Sequence, residues 1–115
     1  MIAALIRIES GDDPQAVGDE GRAWGCLQIR PEGVADVNRI YGLNFTRRDA
    51  LHAAKAREIC RLYLLHWGSK TRAGTAEDYA RIWNGGPQGR QKEKTRAYWK
   101  KVKPVYLSLA SGEMR

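Results

Sequence analysis

One acid in this chain stands where it could do chemistry. Ile2, Leu5, Ile6 and Glu9 fall at i, i+3, i+4 and i+7, so the Glu9 carboxylate shares a helix face with apolar residues. Apolar neighbours disfavour the ionised form, and a carboxyl that keeps its proton near neutral pH is suited to act as a general acid. The plainer reading is a solvated Glu in a last helical turn, on the side of the helix dipole that favours cations. Two amides could accompany it: Gln28 in Gly25-Cys26-Leu27-Gln28-Ile29, and Asn84 in Ala80-Arg81-Ile82-Trp83-Asn84-Gly85-Gly86-Pro87. Amides donate and accept hydrogen bonds, which suits hydroxyl and N-acetyl groups. Trp24, Tyr79 and Trp83 could stack on sugar faces, with plain core packing as the alternative for each. Asp19, within Gly18-Asp19-Glu20-Gly21, is a second candidate carboxylate, with an ordinary turn aspartate as its alternative.

Seven segments must position these groups. A short helix begins at Ile2 and is stopped by Gly11, with Pro14 soon after. Asp12 to Ala23 reads as a polar loop or small hairpin. Pro31 opens a helix over Glu32 to Tyr41, with Val34, Val37, Asn38 and Tyr41 on one face and Gly42 ending it. A linker from Leu43 to Arg48, with Thr46 as a cap, leads to the longest helix, Asp49 to Trp67, ended by Gly68. Thr75-Ala76-Glu77-Asp78 is a helix start with an acid three residues past the cap, for a helix reaching Asn84. A basic helix follows from Arg90 to Lys103, with Tyr98, Trp99 and Val102 as its buried stripe, and Pro104 kinks or ends it. The fold class is mainly α, one domain over 1–110 with little or no β and a frayed tail at 111–115.

The chain has 115 residues, 43% of them hydrophobic, and a net charge of +7. That length makes one domain with a modest core. The charge suits a polyanionic partner, either nucleic acid or an anionic wall or membrane surface. Cys26 and Cys60 fit no metal spacing, and His52 and His66 are not spaced as a metal pair, so no metal and no cofactor is expected. No run is long enough to span a bilayer. No basic segment precedes the apolar start and no cleavage site follows it, so no signal peptide is expected.

Glu9-Ser10-Gly11, Gly25-Cys26-Leu27-Gln28-Ile29 and Ala80-Arg81-Ile82-Trp83-Asn84-Gly85-Gly86-Pro87, in that order over roughly residues 1 to 103, resemble the lysozyme-like superfamily. The resemblance is to the soluble lytic transglycosylases and goose-type lysozymes. It implies a lysozyme-like catalytic domain cleaving the β-1,4 MurNAc-GlcNAc linkages of peptidoglycan, with Glu9 as general acid/base and Gln28 and Asn84 lining the cleft. Trp83 stands where the family usually has Tyr, and Tyr79 one turn earlier offers a hydroxyl instead. Asp19 matches one goose-type supporting acid, while a second falls on Arg30. A transglycosylase needs no second carboxylate, whereas an inverting hydrolase uses one to position water.

On this reading the partner is peptidoglycan or a related N-acetylhexosamine polysaccharide, the chain is a monomer, and it acts on the cell wall, as phage or prophage equipment does. Two rivals stand beside it. One is a chitinase or chitosanase on the same fold. The other is a basic nucleic-acid-binding module, which leaves Glu9 and Gln28 unexplained, so no specific nucleic acid is expected.

Overall fold

The computed structural model describes residues 1–112; the last three residues of the expected tail lie outside the described residues. The fold is mainly α, as the sequence implies, with five α-helices and one two-stranded sheet among the described residues. The chain divides into two compact units, Glu9–Tyr63 and Met1–Ile8 with Leu64–Arg115. Helix α1 (Ile2–Ser10) and helix α3 (Ala53–Lys70) supply residues to both.

In the Glu9–Tyr63 unit, β1 (Val17–Gly18) pairs antiparallel with β2 (Ala23–Trp24), with Val17 opposite Trp24 and Gly18 opposite Ala23. Helix α2 (Pro31–Tyr41) starts on a proline whose missing N–H is not needed there, and Gly42 closes it in the left-handed conformation at φ 65. Val34 and Val37 are its buried residues. Asn38 shares their face because it ties down the linker: its Nδ2 donates to the Phe45 carbonyl and its Oδ1 accepts from the Phe45 N–H, both at 2.9 Å.

The long helix begins later than expected. Arg47–Leu51 forms a 3-10 turn and His52 is extended, so α3 starts at Ala53. Asp49 explains the difference. Its carboxylate accepts from the Thr46 N–H at 2.7 Å, and that capping box uses the acid to start the 3-10 turn rather than the α-helix. Nor does α3 stop at Gly68, which lies inside it. A Cβ there would come within 2.4 Å of the Tyr79 ring, so the glycine serves close packing and not termination.

In the other unit, Thr75 and Asp78 cap helix α4 (Ala76–Gly85) reciprocally. Helix α5 (Lys94–Ser111) buries Thr95, Tyr98 and Val102. Pro104 neither ends nor interrupts it. Proline removes the hydrogen bond to the carbonyl four residues back; here Pro104 and Lys100 are both exposed, so water can serve that carbonyl.

Candidate functional site

Glu9 and Ser10 end α1, and the chain leaves through Gly11 at φ 64. Glu9 is half-buried. The Ser10 hydroxyl donates to the Cys26 carbonyl at 2.9 Å and accepts from the Asp13 N–H at 3.1 Å, fastening the helix end to the glycine turn. Burial first, and the Glu9 carboxylate second, push the Cys60 thiol up from its ordinary value; burial likewise raises Cys26. Both thiols are free and protonated, so neither is poised as a nucleophile.

The candidates Asp19, Trp24 and Gln28 belong to a hairpin with an unusual backbone. Asp19, Glu20 and Gln28 all adopt positive φ, at 51, 56 and 52. Such conformations cost roughly 1 kcal/mol or more for a residue with a Cβ. Each is held by specific contacts or by the turn between the strands. Asp19 is exposed, and its Oδ2 lies 2.6 Å from Arg30 Nη2. The Gln28 amide donates to the Gly25 carbonyl at 3.1 Å and the Ala16 carbonyl at 3.3 Å. Gly18 is what makes room for it, since a Cβ there would sit 2.3 Å from Gln28 Oε1. Gln28, expected to line a cleft, is the central tie of this lobe. Trp24 donates to the Gly21 carbonyl at 2.8 Å, and the Arg47 guanidinium covers its ring at 4.0 Å.

Arg47 and Ala50 carry the lobe on the 3-10 turn. Arg47 donates to the Ile29 carbonyl at 2.8 Å and to the Arg22 carbonyl. Gly25, at φ 84, rests on Ala50, where a Cβ would lie 1.7 Å from the carbonyl oxygen. The turn itself hangs on Asp49. The Thr46 N–H, foremost, and Lys55 hold that carboxyl below its usual range.

Tyr79, Trp83 and Asn84 sit on α4 in the other unit. The Tyr79 ring packs against Gly68, Trp83 is half-buried, and Asn84 is exposed. Within the Glu9–Tyr63 unit, the Ser10–Cys26 hydrogen bond joins the end of α1 to the segment that carries Asp19, Trp24 and Gln28.

The sequence reading passed over Arg81, the one buried charged residue among those described. Its Nε donates to Thr95 Oγ1 at 2.8 Å, Nη1 to Glu77 at 2.9 Å, and Nη2 to the Arg90 and Lys92 carbonyls at 2.8 and 3.3 Å. Gly89 presses on the Arg81 carbonyl, where a Cβ would come within 1.9 Å. Also unforeseen is an open groove of about 450 Å³ lined by Glu32, Gly33, Ala35, Asp36, Arg39 and Tyr63. Burial, aided by Asp36, pushes the Tyr63 hydroxyl up to about 12. Nothing in the spacing of Tyr63, which reads as one more core residue of the long helix, marked it. Among the described residues no group of three His, Cys, Asp or Glu could hold a metal ion, and no helix is long and apolar enough to cross a membrane.

No protein-family model matches the chain, and no curated protein matches it. A solved structure does: the crystal structure of Aeromonas hydrophila PliI in complex with Meretrix lusoria lysozyme, at 23% identity and a TM-score of 0.77, over 90% of this chain and 86% of the matched one. At that identity the likeness establishes the fold. It also corrects the sequence reading. The matched structure is a complex of PliI with a lysozyme, and it supports neither a soluble lytic transglycosylase nor a goose-type lysozyme reading of this chain. Membership of that group is withdrawn. So are the glycosidase, lytic transglycosylase and muramidase activities drawn from it, and the chitinase alternative. The catalytic roles expected of Glu9 and Asp19 presuppose that activity and are not carried forward.

Proposed function

We propose that the chain is a binding protein that acts by entering a complex of the kind formed between a lysozyme and its inhibitor. The observation that carries this reading is the backbone likeness, over nine-tenths of the chain, to a chain of such a complex. The hairpin supports it. Ser10, Asp19 and Gln28 direct their polar groups to the protein itself and so stiffen a surface lobe. A surface fixed before contact loses little freedom on binding. The finer partner expected from the sequence, peptidoglycan or a related N-acetylhexosamine polysaccharide, enters as a ligand held without cleavage, its stem-peptide carboxylates facing a chain of net charge +7.

The test uses the two proteins of the matched complex. Aeromonas hydrophila PliI and Meretrix lusoria lysozyme are passed separately over the immobilised chain. Lysozyme turnover on purified sacculi is followed with and without the chain. Saturable one-to-one binding to one of the two proteins is expected, with sacculi left intact by the chain alone. Binding to neither overturns the reading. So does release of soluble muropeptides by the chain itself that is abolished by Glu9→Gln.

A further inference from the structure

The net charge is not shared between the two units. Met1–Ile8 with Leu64–Arg115 holds twelve Lys and Arg against four Asp and Glu, a net +8, while Glu9–Tyr63 holds eight against nine, a net −1. Within the basic unit the excess gathers on α5. Arg96, Lys100, Lys103 and Leu107 recur at i, i+4, i+7 and i+11, which places them on one face, and all four are exposed. Leu107 shows 52% of its surface. Among the described residues no acid pairs with Lys94, Lys100, Lys101 or Lys103, and Arg96 meets only Glu93, itself 85% exposed. The helix runs unbroken through Pro104, so the stripe from Arg96 to Leu107 is about 16 Å long at 1.5 Å per residue.

We infer that this outer face of α5 is the docking surface for an acidic protein partner, an inference that rests on the binding-protein reading above. Charge complementarity names the partner's chemistry: unpaired lysines favour a surface rich in carboxylates and speed encounter with it. Tyr98 is buried, and the half-buried Trp99 and Tyr106 lie against one another with ring centroids 6.4 Å apart, which leaves less ring surface for stacking on nucleic-acid bases than a free aromatic would give. One exposed leucine at the end of a charged stripe is far less apolar surface than a helix lying in a membrane interface presents. It is what a protein interface uses as an anchor inside a polar rim.

The experiment measures binding of the intact chain to Aeromonas hydrophila PliI and to Meretrix lusoria lysozyme across a salt series. Wild type, K100E/K103E and L107S are compared, with circular dichroism confirming that the variants fold. For whichever protein wild type binds, K100E/K103E is expected to weaken affinity by about tenfold or more and to flatten the salt dependence. L107S is expected to speed dissociation. Binding by wild type with undiminished binding by both variants overturns the docking surface and leaves the binding-protein reading standing. Binding to neither protein overturns both. Parallel arms use a short DNA duplex and vesicles containing phosphatidylglycerol. Stripe-dependent binding to either of these, without stripe-dependent binding to a protein, also overturns the inference.

Discussion

Arg30 Nη2 lies 2.6 Å from Asp19 Oδ2, so the first carboxylate of the hairpin turn is matched by the base that stands just before α2. Both side chains are substantially exposed, at 55% and 42%. An exposed pair of this kind contributes at most about 1 kcal/mol and is screened by salt. A double-mutant cycle with Asp19→Asn and Arg30→Gln, read by urea denaturation, should return a coupling below about 1 kcal/mol that shrinks in 1 M salt. A coupling of several kcal/mol that ignores salt would show that the pair is a structural keystone instead.

Two glycines at positive φ should respond differently to alanine. Gly42 has open space where a Cβ would go, so Gly42→Ala pays only for the left-handed backbone, about 1 kcal/mol. Gly25 meets the Ala50 carbonyl at 1.7 Å from that Cβ, and backbone must move to admit it. Gly25→Ala should cost about 3 kcal/mol or more, beyond the usual range for a point substitution. Thermal unfolding of the two variants side by side decides the matter, and equal losses would refute the contact.

Arg81 should be irreplaceable by lysine. Its planar fork serves a hydroxyl, a carboxylate and two carbonyls at once, and an ammonium cannot match that geometry. Arg81→Lys and Arg81→Met should both destabilise by about 3 kcal/mol, because each leaves buried acceptors unmet. Full recovery by lysine in chemical denaturation would mean that charge alone matters there.

Acid should loosen the hairpin through Asp49. Its folded value is depressed, so its contribution is complete above the unfolded value, about 4, and disappears as pH falls through the folded one. Asp49→Asn should lower stability at neutral pH by about 1 kcal/mol, the usual scale for a lost cap, and the difference from wild type should vanish in strong acid. A gap that is the same at both ends of the titration would assign the loss to something other than the carboxylate's charge.

The helices were legible where an apolar period coincided with a terminator, as in α2, where Pro31 and Gly42 mark both ends and Val34 and Val37 face inward. They were misread where one residue type serves two purposes. Asp49 looks like a helix start and caps a 3-10 turn; Gly68 looks like a stop and makes room for Tyr79; Pro104 looks like a break and falls on an exposed face. The hairpin was visible as a turn-rich excursion, but not the positive φ of Asp19, Glu20 and Gln28. Arg81 was hidden by its type, since a charge between Ala80 and Ile82 gives no sign that three of its four partners lie nine to fourteen residues further on. For Glu9, Gln28 and Asn84 the resemblance implied a glycosidase cleft, an activity that the likeness to the PliI–lysozyme complex does not support.

Cys26 and Cys60 are both buried and unlinked, so no disulfide holds the fold together. Thiols that are neutral and shut off from solvent react slowly with oxidants and with other disulfides. The same molecule should therefore keep one covalent form, and one melting temperature, whether its surroundings are reducing or oxidising.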